Sequence, residues 1–149
     1  MKILIASDHA GFQLKTQLVE KLRLTDELTD LGPIDPESVD YPDYADKVCT
    51  KLQTDPANQL LKELGILICG TGQGMVMRAN KYSQIRAALV YNTEIAILSR
   101  EHNHANIICL GARFCSLEQA LEWVSIFKKT AFAGGRHQSR VAKTGYPIS

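Results

Sequence analysis

A cysteine closing an apolar run, with glycines at alternate positions after it, is the part of this chain best suited to chemistry: Gly65-Ile66-Leu67-Ile68-Cys69-Gly70-Thr71-Gly72-Gln73-Gly74-Met75. Glycines let the backbone take conformations closed to residues with a Cβ, so successive amide N–H groups can point into one concavity and bind an anion. A thiol at the lip of such a turn suits carbon-acid or acyl chemistry. Cys69 also stands where a helix begins, and the positive end of a helix dipole favours a thiolate. A tight turn without a ligand, and a cysteine buried as a small hydrophobe, would account for the same residues. The turn is not a dinucleotide fingerprint, since Gly-x-Gly-x-x-Gly begun at Gly70 would need glycine where Met75 stands. Without Gly-Lys-Ser/Thr it is not a P-loop either.

Other side chains suited to chemistry lie beyond the ends of apolar runs. Ser7-Asp8-His9 follows Ile3–Ala6, and Arg113 follows Leu110-Gly111-Ala112. Asp8 and His9 would serve equally as a helix cap and a solvated imidazole. Arg136 and Arg140 are four apart on one helical face; such a pair is usually solvated, but with Arg113 it can clamp a phosphate. His102 and His104 would permit a metal pair in an extended segment, yet no carboxylate or thiol completes a recognisable ligand set. Cys109, inside Ile107-Ile108-Cys109-Leu110, reads as core, and nothing near Cys49 or Cys115 argues otherwise.

These residues need a frame. Strands are predicted over Ile3–Ser7, Glu27–Leu31, Gly65–Cys69, Ile85–Val90 and Asn106–Leu110. Helices are predicted from Gly11 to Leu22, Tyr44 to Leu52, Gly72 to Lys81, Asn92 or Thr93 to Arg100, and from a capping box at Ser116-Leu117-Glu118-Gln119 through Phe127. Gln53–Lys62 reads as a helix end plus a surface loop. The strands are apolar on both faces, as parallel strands covered by helices on each side must be. Alternating strands and helices with right-handed crossovers give an α/β fold, a three-layer α/β/α sandwich around a doubly wound five-stranded parallel sheet. In such sheets a site collects beyond the C-terminal strand ends, where Asp8, Cys69 and Arg113 fall. Gly134-Gly135 then breaks the last long helix, and a short basic helix beginning at Arg136 is expected to dock on a second subunit.

Composition narrows the classes. The 149 residues suit a single domain over 1–149, with 45% hydrophobic residues and a net charge of +1. That charge gives no steering toward nucleic acid or acidic lipid, and no apolar run is long enough to cross a membrane. Met1–Ala6 is too short for a signal-peptide core. The four cysteines lack Cys-x-x-Cys spacing, so reduced thiols in a cytoplasmic protein are expected.

Taken together, these strings resemble the type B ribose-5-phosphate isomerase family, which includes galactose-6-phosphate isomerase subunits. The likeness runs through Ser7-Asp8-His9-Ala10-Gly11-Phe12, Asp40-Tyr41-Pro42, Ile68-Cys69-Gly70-Thr71-Gly72, Ala79-Asn80-Lys81, Ile85-Arg86-Ala87, Ser99-Arg100-Glu101-His102-Asn103 and Gly134-Gly135-Arg136-His137. The resemblance implies a homodimer or dimer of dimers with active sites between subunits, no cofactor and no metal. The reaction it implies interconverts ribose 5-phosphate and ribulose 5-phosphate, in the pentose phosphate pathway, with six-carbon sugar phosphates as rival substrates. It implies Cys69 as the base and the amides of Gly70, Gly72 and Gly74 on the enediolate oxygen. Asp8 would move hydroxyl protons, and His102 with Thr71 would assist ring opening, a task for which His137 is the alternative. Tyr41 and Asn103 would touch the sugar. His9, Arg113, Arg136, His137 and Arg140 would bind phosphate, Arg136 and Arg140 reaching across from the partner subunit. Gln73, Arg78 and His104 depart from the family pattern, and the polar run Asp55–Gln59 has no assigned purpose.

Overall fold

Five short segments become the strands of one parallel sheet, and the central ones, Lys2–Ser7, Glu63–Cys69 and Ile107–Gly111, offer apolar side chains to both faces. The computed structural model describes residues 1–145, so the last four residues of the expected 1–149 domain lie outside the description. The strands are β1 (Lys2–Ser7), β2 (Glu27–Asp30), β3 (Glu63–Cys69), β4 (Ala87–Leu89) and β5 (Ile107–Gly111), and their order is β2-β1-β3-β5-β4. The helices are α1 (Phe12–Leu22), α2 (Tyr41–Cys49), α3 (Gln73–Ala79), α4 (Thr93–Glu101), α5 (Leu117–Lys129) and, after a 3-10 turn at Gly135–His137, α6 (Gln138–Thr144).

Strand alternation divides the core into two layers. Ile3, Ile5, Ile66, Ile68, Ile108 and Leu110 face the buried stripes of α1, α4 and α5. Leu4, Ala6, Leu67, Cys69, Ile107 and Cys109 face α2 and α3. The expected three layers are present, and Cys69 points to the α2/α3 side. Register fixes the functional edge: β3 pairs with β1 up to Ser7 opposite Ile68, and with β5 from Gly65 opposite Ile107 to Cys69 opposite Gly111. Chain order reverses between β1 and β3, so the ends of these two strands form the crevice of the doubly wound fold.

Three expectations need correction. β2 is not apolar on both faces: Glu27, Thr29 and Asp30 are exposed, because this strand lies at the sheet edge. Its charged residues discourage pairing with another chain. α2 begins at Tyr41 rather than Tyr44, with Pro42 in its first turn, where a missing N–H costs nothing, and it stops at Cys49 rather than Leu52. The segment from Gln53 to Lys62 is therefore loop rather than helix end. By contrast, Asn92 accepts the Ile95 N–H at 2.8 Å, and the Ser116/Gln119 capping box is complete. Among the described residues, no helix is long and apolar enough to cross a membrane.

Candidate functional site

At the C-terminal ends of β1 and β3, the backbone holds two side chains against the sheet. Asp8 donates its N–H to the Ile68 carbonyl at 3.0 Å, and its Oδ1 accepts the Gly11 N–H at 3.0 Å. Cys69 is 5% exposed, and its Sγ accepts the Gly72 N–H at 3.1 Å. The Cys69 and Gly70 carbonyls accept the N–H groups of Ala112 and Arg113 at 2.9 and 3.1 Å, which ties the glycine turn to the end of β5. Gly72 has φ +78°, and a Cβ there would stand 2.5 Å from Leu89. Only glycine fits.

Other expected residues gather around this turn. The Arg113 guanidinium lies over Gly70, where an added Cβ would stand 3.0 Å from Cζ. The Tyr41 ring lies against Gly74, leaving 2.5 Å to an added Cβ. Thr71 is exposed, and its Oγ1 accepts the Gln73 N–H at 3.3 Å. His9 Nδ1 accepts the Val39 N–H at 3.3 Å, so the neutral ring carries its proton on Nε2, free for a ligand. The N–H groups of Thr71, Gly74 and Met75 have no protein acceptor among the described residues. The Gly72 amide is different: it is spent on the sulfur. The other thiols are locked in the protonated form by burial, which pushes Cys49 up to about 12, Cys109 well above its ordinary value and Cys115 upward.

A second group forms at the opposite edge of the sheet. His102 caps the C-terminus of α4, ahead of the start of β5. Its ring stacks on His137 with centroids 4.2 Å apart and planes 13° apart. Asn103 and Arg140 line one cleft of about 420 Å³ with Arg86 and Ala87, beside the start of β4. His137 is drawn below the ordinary imidazole value by loss of hydration, then by His102, Arg136 and Arg140. Cys69 lies opposite Gly111, four residues beyond Ile107, and at about 3.3 Å per residue that is on the order of 13 Å of sheet. One protomer therefore gathers Asp8, His9, Tyr41, Cys69, Thr71 and Arg113 at one edge, and His102, Asn103, His137 and Arg140 at the other. The expected pairing of His102 with Thr71 does not occur within a single chain.

His104 is neither of these. It has φ +51°, is buried, stacks on Phe132 at 4.5 Å, and its Nε2 meets the Asn58 carbonyl at 2.9 Å. Among the described residues no three potential metal ligands cluster. Arg78 makes a bidentate pair with Asp46, both contacts 2.7 Å, joining α2 to α3. Gln73 borders a mainly apolar cleft of about 420 Å³ with Thr71, Leu89, Tyr91, Phe114 and Trp123. Sequence reasoning missed Arg100, which is wholly buried. Its one signal was a place four residues after Ala96, on the buried stripe of α4.

A family model described as Ribose/Galactose Isomerase matches residues 3–144. A relative from Mycoplasma pneumoniae, called probable ribose-5-phosphate isomerase B, is 43% identical over 95% of this chain and 91% of its own. The crystal structure of a ribose 5-phosphate isomerase from Thermotoga maritima superposes with TM-score 0.88 at 46% identity, over 97% of each chain. A ribose-5-phosphate isomerase B from Mycoplasma genitalium, solved with bound ribulose-5-phosphate, gives TM-score 0.83 at 42% identity over 95% of this chain and 92% of that one. In sequence and in three dimensions, over nearly its full length, the chain belongs to the ribose/galactose isomerase family.

Proposed function

We propose that this protein is an aldose–ketose isomerase that interconverts ribose 5-phosphate and ribulose 5-phosphate through an enediolate. One observation carries the reading. The C-terminal ends of β1 and β3 combine the Cys69 sulfur, amides at Thr71, Gly74 and Met75 without a protein acceptor among the described residues, and the Asp8 carboxylate. A family relative binds ribulose-5-phosphate.

The proton on a carbon beside a carbonyl is weakly acidic, so the barrier falls mainly by stabilising the oxygen that gains charge. The Cys69 thiolate takes the C2 proton of the open-chain aldose, and the electron pair moves onto the C1 oxygen. The turn amides hold that oxygen. Asp8 relays a proton from the C2 hydroxyl to the C1 oxygen, and Cys69 returns its proton to C1, leaving a ketone at C2. Tyr41 closes over the sugar. His9 and Arg113 bind phosphate, whose fixed charge far from the reacting carbons supplies energy for positioning.

His102, Asn103, Arg136, His137 and Arg140 complete the site from a second copy of the chain. The two-edge separation supports this arrangement, because a two-fold dimer can lay one edge of each protomer on the opposite edge of the other, creating two equivalent sites. His102 of the partner subunit, near Thr71, then assists ring opening, and the partner's Arg136 and Arg140 clamp the phosphate.

The test is an assay of purified protein, with chelator present, for ketose formed from ribose 5-phosphate. It is run beside allose and galactose 6-phosphates, with kcat/KM compared. The five-carbon sugar is expected to be preferred. Saturable binding of all three without exchange of the C2 proton would replace the enzyme with a non-catalytic sugar-phosphate-binding module.

A further inference from the structure

Arg100 is fully buried, yet it has no carboxylate partner among the described residues. The contrast with Lys15, equally deep but paired with Asp30 at 2.6 Å, is direct. Arg100 instead spreads its guanidinium over three carbonyls from three segments. Nε donates to Thr130 at 3.1 Å, Nη1 to Ala105 at 2.6 Å and Nη2 to Gln59 at 2.8 Å. A buried charge satisfied this way is expensive to keep, and an apolar residue in its place would take a donor from each of three carbonyls, of which the buried Ala105 carbonyl would lose most. Burial, then the nearby Arg86, draws its pKa down to about 10, so it remains charged at neutral pH.

Two of the segments joined carry the second group of site residues. The Ala105 bond closes the turn that carries His102 and Asn103. The Thr130 bond holds the exit of α5, six residues before Arg136. Further bonds run parallel: Ala133 N–H to the Glu101 carbonyl at 3.0 Å, Phe132 N–H to the Gln59 carbonyl at 2.9 Å, and His104 against Asn58 and Phe132. The run Asp55–Gln59, unexplained by sequence, supplies two of the carbonyls. All of this converges on the His102–His137 stack.

We infer that Arg100 is a positioning residue for the isomerase: touching no substrate, it sets the spacing between His102-Asn103 and Arg136-His137-Arg140, the half-site presented to the partner subunit. Lysine cannot replace it, because a point ammonium lacks the planar fork that reaches three carbonyls at once.

This inference rests on the isomerase reading and on a site shared between two protomers, and the experiment separates the three. Differently tagged Cys69→Ala and Arg100→Met chains are co-expressed, and mixed dimers are isolated by both tags. Cys69→Ala with His102→Ala is the parallel pair, and Arg100→Lys repeats the test with a milder change. The wild type must first turn over ribose 5-phosphate. Arg100→Met alone should remain a folded dimer while kcat falls about 10²-fold, the scale of a misplacement near 1 Å, and KM rises. In the mixed dimer, one site combines an intact glycine turn with an intact partner half, so activity should return to roughly half the wild-type value per dimer. If the His102 pair complements while both Arg100 variants stay at the level of their own homodimers, the positioning role is wrong. If neither pair complements, the shared site fails and takes the inference with it.

Discussion

At Cys69 a single hydrogen bond decides what the side chain can face. The Gly72 N–H holds the sulfur at the turn, while the N–H groups of Thr71, Gly74 and Met75 have no protein acceptor among the described residues. Cys69→Ala removes the proposed base and little else, so turnover should fall by about 10²–10⁴-fold while ribose 5-phosphate still binds; stopped assays and calorimetry on one preparation check both halves. Gly72→Ala acts differently. It forces φ +78° on a residue with a Cβ and drives that Cβ to 2.5 Å from Leu89. The strain should lower stability by about 1–3 kcal/mol, read from chemical denaturation, and reduce kcat as well. Cys69 and Asp8 were legible in the sequence because each accepts an N–H from a residue three positions on, Gly72 and Gly11 respectively. Arg100 was not, since its three carbonyl partners are 5, 30 and 41 positions away.

Among elements, helix starts were legible where a cap is local, and α2 shows the limit. Its first turn, at Tyr41–Asp43, carries no apolar periodicity, so the pattern places the start at Tyr44. What fixes it earlier is Pro42, together with the Tyr41 ring against Gly74. Ser116→Ala should cost about 1 kcal/mol, because the Gln119 N–H loses its acceptor and the box opens. The Arg78–Asp46 pair between α2 and α3 is bidentate but substantially exposed, so solvent screens it. A double-mutant cycle should return no more than about 1 kcal/mol of coupling. Neither change should alter KM, which distinguishes these bonds from the site itself.

Across the whole molecule, acid is the sharpest lever at the edge where His102 and His137 stack. Burial, followed by Arg86, holds the His104 imidazole below its ordinary value. The unfolded chain therefore takes up the proton first. Stability is complete above about pH 6.5 and declines as pH falls from there toward the folded value. The difference in unfolding free energy between the wild type and His104→Asn should shrink across that window; a difference independent of pH would show that His104 does not titrate there. The same edge carries His137, displaced in the same direction by its own loss of hydration and then by His102 and two arginines. Acid should therefore loosen the His102–His137 stack as well.

Local pattern by itself determined the strand positions, most of the helices and the residues at the Cys69 turn, since short apolar runs, period-3.6 repeats and glycine turns act over a few residues. It placed Arg136 and Arg140 on one short helix, whereas the structure puts Arg136 in the 3-10 turn and only Arg140 in α6, which begins at Gln138. Tertiary structure alone decided that the site residues divide between two edges of one sheet, because register between strands separated by dozens of residues is set by packing of both layers. Long-range packing likewise joined Arg100, His104 and Asn58–Gln59 into one brace, whose members share no local pattern.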